Sequence, residues 1–397
     1  MKTGIAVGLV LSLVVGRAAH TQQANPPGVT DKEIRIGQTW PYSGPLSLHS
    51  VSGKTQTAYF DMVNVAGGVN GRLIKFISLD DAYSPPKAVE QTRRLIEQDE
   101  VALLFGSFGT ATSLAVLRQV NTAKIPQLLL IASTDRLTNP TEAPFTTILP
   151  PSAKVESGAF AKYVLSTLPK AKIAVIYQDD DFGKLYLANF KKGLGGKAAD
   201  IVGEASTSVT DPTVESQIIS LQATGADVLV HFTQRKATAQ AISKVYDLKW
   251  NPVQLVTAPS SSIPTVMKVA GLEKSQNVIS FTYFVDPGDP GIKKNPGFRK
   301  YLEFMAKWDQ GADPEDTTNV TAYTAAEALV QILQRCGNDL SSANIMNNAT
   351  NGEAYHLSLA LPGIDYKPTA DDHEGIRKLQ PSRVTGDHYE PVGALIE

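Results

Sequence analysis

The chain has 397 residues, of which 42% are hydrophobic and 19% charged, with 37 Lys and Arg set against 39 Asp and Glu. At roughly 150 residues per domain this length predicts two or three domains, and the composition is that of a globular protein, not a disordered one. A net charge of -2 without a basic run argues against nucleic acid as a partner. The single cysteine, Cys336, excludes an intrachain disulfide, a cysteine-based zinc site and an iron–sulfur cluster.

Met1 to Ala19 opens with Lys2, continues through the apolar stretch Ile5–Val15 and ends in Gly16-Arg17-Ala18-Ala19. A charged start, a short apolar run and small residues after it predict a secretory signal peptide over 1–18. The run is shorter than the about 20 apolar residues that cross a bilayer. A signal combined with one thiol fits the bacterial periplasm better than a eukaryotic secretory route, where cystine bridges are usual.

Strands and helices then alternate. Glu33–Thr39 reads as a strand, Ser50–Ala66 as a helix, Leu73–Leu79 as a strand and Pro86–Gln98 as a helix. The apolar run Val101–Phe105, the helix Thr110–Ala123 and the run Gln127–Ile131 follow. Short runs buried on both faces and separated by helices predict a parallel sheet. The pattern starts again at Ala153, with strands at Lys172–Tyr177, Ile201–Ala205, Asp227–Phe232 and Val253–Thr257 between helices. Two such halves predict an α/β protein with two doubly wound lobes. After the strand Val278–Tyr283 and a Pro/Gly-rich turn come two long helices, Pro296–Trp308 and Thr317–Cys336, and a short strand-like end from Tyr355.

Enzyme signatures are missing. There is no Gly-x-Ser-x-Gly elbow and no Gly-x-Gly-x-x-Gly, and Ser52-Gly53-Lys54-Thr55 lacks the first glycine of a phosphate loop, because position 48 is Leu. The six histidines form no metal-binding pair, and Asp179-Asp180-Asp181 lacks the spacing of a calcium loop. The expectation is a protein without catalytic residues, metal or cofactor. Small polar residues instead gather in loops after the apolar strands: Trp40–Ser47, Gly106–Ser113, Ala132–Asp135, Gln178–Gly183, Phe232–Arg235 and Ala258–Ser261. Carboxyl-end loops of open parallel sheets are where small molecules bind, and six of them across two lobes describe a cleft. Whether His49, Tyr42 and Arg235 reach that cleft is left open by the residues themselves.

The motifs Ile34-Arg35-Ile36-Gly37, Tyr42-Ser43-Gly44-Pro45, Asn70-Gly71-Arg72, Asp80-Asp81 with Pro85, Gly106 to Ser113 and Tyr177 to Gly183, in this order and spacing, carry a resemblance. From Val29 to the end the chain resembles the bacterial periplasmic solute-binding proteins of the leucine/isoleucine/valine-binding family, the type I class serving ABC importers. The resemblance implies two Rossmann-like lobes joined by a three-strand hinge, with 29–152 and 283–354 in lobe one and 153–282 and 355–397 in lobe two. It implies a monomer that captures a branched-chain amino acid or similar carboxylate and delivers it to a membrane permease and ATPase. It places the ligand carboxylate at Gly109, Thr110, Ala111 and Thr112, polar contacts at Ser133, Thr134 and Asp135, a covering aromatic at Phe182 and a further cleft residue at Gln234. Tyr42 joins the expected set. The family's acidic partner for the ligand ammonium falls where this chain reads Ala258-Pro259-Ser260, so Pro259 faces the ligand where a carboxylate is usual. Either Asp135, Asp180 or Asp181 replaces it, or the ligand is an aromatic or other acid without an amino group. A sensor of the same fold is the alternative role.

Overall fold

The computed structural model describes residues 25–397, so the leader expected over 1–18 lies outside the described residues. The first sheet is built from β1 (Glu33–Trp40), β2 (Leu73–Asp80), β3 (Leu103–Phe105), β4 (Gln127–Leu130) and β5 (Thr146–Ile148), in the order β2-β1-β3-β4-β5, all parallel. Its helices are α1 (Ser50–Val65), α2 (Pro85–Glu97) and α3 (Thr110–Ala123). Strands β3 and β4 are buried at every residue, which is why they read as continuous apolar runs and not as alternation.

The second sheet has seven strands in the order β12-β11-β10-β9-β8-β6-β7. Here β6 (Ile173–Gln178), β7 (Ile201–Thr207), β8 (Val228–Phe232), β9 (Val253–Val256) and β10 (Ile279–Thr282) are parallel. The hairpin β11 (Gln380–Thr385) and β12 (His388–Pro391) adds an antiparallel edge. The helices α4 (Ala153–Thr167), α5 (Asp181–Leu194), α6 (Glu215–Gln222) and α7 (Arg235–Asp247) accompany this sheet, with the short turns α8 (Lys268–Ala270) and α9 (Leu272–Ser275). Between β10 and β11 the chain forms α10 (Pro296–Trp308), α11 (Thr317–Cys336) and α12 (Ser342–Ala349); α10 and α11 pack against α1 of the first half.

The chain therefore crosses between the two halves three times, after β5, after β10 and before β11. The first and third crossings are tied together, because the Ser152 N–H donates to the buried Glu374 carboxylate at 3.0 Å. Residues 355–373 reach into the first half: Ser358 N–H donates to Glu327 on α11, and His373 meets the carbonyls of Thr138 and Thr146. The expected boundary at 355 thus differs from these contacts; the chain joins the second sheet only at Gln380, where backbone pairing with β10 begins. No helix among the described residues is long and apolar enough to cross a membrane.

Candidate functional site

The strand ends of both sheets converge on one cavity of about 1000 Å³, its open mouth included. From the first half come Trp40 at the end of β1, Tyr83 after β2, Phe108 and Gly109 after β3, Ile131 to Ser133 after β4 and Pro150 after β5. From the second come Phe182 after β6, Gln234 after β8, Ala258, Pro259 and Ser261 after β9, and Thr282 to Asp286 leaving β10. His49, Ser52 and the first turns of α11 complete the wall, with Tyr389 of β12.

The loop after β3 owes its shape to two glycines. Gly106 and Gly109 hold φ of +58° and +106°, a region that side chains with a Cβ rarely adopt. They turn the chain inward so that Phe108 enters the cavity and α3 begins at Thr110 with its first N–H groups free for an anion. Thr110 Oγ1 also accepts the Ser133 N–H at 3.1 Å, locking the loop after β4 to the start of α3. Behind Ser133 lies a buried pair: Tyr186 donates to Glu156, whose other oxygen accepts the Ala258 N–H at 2.7 Å. Burial pushes the Glu156 carboxyl up to about 7, with Tyr186 and Ala258 pulling it part-way back.

Aromatic rings make the apolar wall. Phe108 lies 5.3 Å from Trp40 and 6.2 Å from Tyr83 between ring centroids, and the His49 ring tilts against it at 4.5 Å. His49 is held by its own backbone, whose carbonyl accepts the Trp40 indole N–H at 2.9 Å. Burial and the nearby Arg235 cation push its imidazole well below its ordinary range, and Gln234 beside it opposes only in part.

Side chains from the two halves also bind each other. Both terminal nitrogens of Arg235, at the start of α7, reach the Asp316 carboxylate at 3.3 Å, and both residues are buried. Asp316 caps α11 through Thr318 N–H and accepts from Ser262 as well. The Tyr83 hydroxyl donates to Asp180 at 2.8 Å. These contacts close the lobes over the cavity.

Of the residues expected from the sequence, Gly109, Thr110, Ser133, Phe182, Gln234 and Pro259 line this cavity. Tyr42, Ala111, Thr112, Thr134 and Asp135 are not in its lining. The reasons are local: Tyr42 is hydrogen-bonded to Ser78 at 2.6 Å, Thr112 turns back to the Phe108 carbonyl, and Thr134 accepts the Arg136 N–H. Ala111, though buried, packs with Trp40, Tyr83 and Phe108. Asp180 caps α5 and accepts from Tyr83, while Asp181 is exposed. The lining adds residues that the sequence reading passed over, chiefly Ser52, Asp286, Thr318 and Tyr389. An Asp316-Thr317-Thr318 cap ahead of a long apolar helix was the one local signal available.

Comparison with known proteins accords with this geometry. A family model described as periplasmic binding protein matches residues 33–388. The Leu/Ile/Val-binding protein homolog 7 of Brucella abortus (strain 2308) is 25% identical over 340 residues, covering 81% of this chain and 82% of that protein. Among solved structures, a branched chain amino acid ABC transporter from Thermus thermophilus with bound valine superimposes with a TM-score of 0.83 at 16% identity, over 93% of this chain and 97% of that one. A fatty acid ABC transporter substrate-binding protein from Thermomonospora curvata gives 0.76 at 20%, over 94% and 95%. At these identities the structures bear on the fold alone. The family model, spanning nearly all the described strands and helices, carries the assignment: the chain belongs to the periplasmic binding protein family.

Proposed function

We propose that the protein is an exported receptor that captures a small carboxylate-bearing solute between two lobes and delivers it to the permease and ATPase of an ABC importer. The observation that carries this reading is the cavity lined by the carboxyl ends of strands from both sheets, with the free N–H groups at the start of α3 and Ser133 in its wall. Valine and fatty acids, named with two structural neighbours, share a carboxylate and little else. That shared group is what Gly109, Thr110 and Ser133 are suited to hold, with Phe182, Gln234 and Pro259 facing it from the second lobe.

In this reading lobe one comprises 29–152 and 283–373, lobe two comprises 153–282 and 380–397, and the segments between are hinge. The basic, apolar, small-residue start of the chain is its export signal to the periplasm. Ligand that contacts both lobes favours the closed arrangement by its differential affinity for it.

The test is a thermal-shift screen of the protein against amino acids, aromatic acids, aliphatic acids and amides. A ligand at about 100 times its dissociation constant adds about 2.7 kcal/mol, a readily measured rise in melting temperature. Shifts confined to carboxylates support the reading. Absence of any shift across the panel overturns it.

A further inference from the structure

Behind the cavity wall a line of polar side chains runs from one half of the molecule to the other. It starts at Thr110, whose hydroxyl accepts the Ser133 N–H at the beginning of α3. The Ser133 side chain is buried in the cavity wall and faces the Tyr186 oxygen on α5. Tyr186 donates to Glu156 on α4, and the other oxygen of Glu156 accepts the Ala258 N–H. Thr110 and Ser133 belong to the first half, Tyr186, Glu156 and Ala258 to the second. Ser133 and Ala258 line the cavity, whereas Tyr186 and Glu156 do not. A ligand in the cavity therefore meets both ends of the line and not the carboxyl in its middle.

No positive charge balances that carboxyl. The groups that act on it are the Tyr186 hydroxyl, the Ala258 N–H and, from the crossing after β10, the Tyr283 ring; no cation is among them. Tyr186 itself stays protonated, because burial and the neighbouring Glu156 push its hydroxyl well above the ordinary range. A carboxylate enclosed by neutral donors alone is costlier than the neutral acid, and burial raises the group to about 7.

Part of this enclosure comes from the opposite half. Ser133, on the loop after β4, covers the Tyr186 oxygen from the first half, and Tyr283 on the crossing closes another side. When the lobes part, Ser133 leaves Tyr186 and water reaches the pair, which favours the ionised carboxyl. When they close, the water is expelled and the protonated form is favoured.

We propose that Tyr186 and Glu156 are positioning residues of the receptor, aligning Ser133 and the Ala258 loop on the ligand as the lobes close, and that closure draws one proton into the Glu156 carboxyl. This rests on the receptor reading above and adds to it a proton linked to capture; ligand and proton then favour each other reciprocally. Below the ordinary value of 4.5 the carboxyl is protonated in both arrangements, and above about 7 it is ionised in both. Between these limits only the closed form holds the proton, so affinity is highest at the acid end and falls as pH rises through the window.

Isothermal titration calorimetry of the full protein, in two buffers of different ionisation enthalpy, tests it. The probes are L-leucine and benzoate, and then whichever compound of the screen above binds most tightly. At pH 6 the unaltered protein is expected to take up at least about half a proton per ligand bound. Affinity is expected to fall about tenfold or more from pH 5 to pH 8, the change that one unit of closure-linked rise produces. In Glu156→Gln the uptake is expected to vanish and the affinity to vary less than about twofold over that range; titration of the probe itself cancels between the two proteins. Tyr186→Phe is expected to keep the slope and lose about fivefold in affinity, the worth of one hydrogen bond; parental affinity there overturns its positioning role. Absence of proton uptake in the unaltered protein overturns the linkage, needs no variant to fold and leaves the receptor reading standing. Uptake that persists in Glu156→Gln overturns it too and moves the proton to a carboxyl such as Glu374 or Asp81, which burial raises to about 7 and about 6. Silence toward every compound of the screen brings down the receptor reading and this inference together.

Discussion

Glu156 illustrates how a single side chain ties the site to the core. It sits on α4, fully buried, with one oxygen accepting from Tyr186 and the other from the N–H of Ala258, the residue that begins the loop after β9. Its carboxyl is raised by burial to about 7, above the ordinary value of 4.5. The folded state therefore holds a proton that the unfolded chain has released between about pH 4.5 and 7. Stability falls as pH rises through that window, and the loss is complete above about 7, amounting to roughly 3 kcal/mol by the usual conversion. Glu156→Gln keeps an acceptor for Ala258 and a donor for Tyr186 and carries no charge. Denaturant unfolding should show this variant gaining on the parent at pH 8 and losing most of that gain at pH 5. An equal difference at both pH values would mean the carboxyl is ionised throughout. Glu374, raised likewise to about 7 at the crossing near Ser152, keeps a residual slope in the variant.

At the scale of elements, the loop from β3 to α3 carries the anion-binding geometry and depends on Gly109. An added Cβ there would approach Thr112 Oγ1 and the Tyr83 ring at 2.6 Å, on a backbone with φ of +106°. Gly109→Ala is expected to lower stability by about 1–3 kcal/mol, the range for strain at a special backbone conformation, and to weaken ligand binding by shifting the start of α3. Chemical unfolding and calorimetry with the same ligand measure the two effects; an alanine variant with parental affinity would remove the loop from the site. Elements also show where the sequence was readable. Helices α3 over Thr110–Ala123, α10 over Pro296–Trp308 and α11 over Thr317–Cys336 follow from apolar periodicity bounded by a cap, proline or glycine. Strand β5, Thr146–Ile148, escaped because three residues carry no period and two of them are threonine. The hairpin β11–β12 falls within the strand-like end expected from Tyr355, but its bounds and antiparallel pairing were not legible, because Pro381 and Pro391 interrupt the pattern and β11 pairs only where β10 already stands.

For the whole molecule, the contacts joining the halves determine how readily it opens. The Arg235–Asp316 pair is the most buried of them, and each charge becomes costly without the other unless water reaches it. Asp316→Asn keeps the cap on Thr318, since asparagine caps as well as aspartate. It removes the counter-charge, so the lobes should part to hydrate Arg235. Small-angle scattering of the ligand-free variant is expected to give a larger radius of gyration than the parent, and ligand affinity should fall by at least about tenfold, or about 1.4 kcal/mol. An unchanged radius with unchanged affinity would mean the pair does not govern closure.

The residues alone determined two alternating α/β halves, because periodicity and the burial of parallel strands on both faces are written in short windows of chain. They also located the loops that hold Gly109, Thr110, Ser133, Phe182, Gln234 and Pro259, since the loop after a parallel strand is recognisable wherever the strand is, while the family resemblance singled out those residues within the loops. Only the tertiary structure decided which polar side chains meet. His49, Asp286, Thr318 and Tyr389 lie far apart in the chain and become neighbours of one cavity through the three crossings between sheets. Tyr42 and Thr134 have the right chemistry in the right loops but find nearer partners in Ser78 and Arg136. Hydrogen-bond partners are settled by distance in space, and short stretches of sequence hold no measure of it.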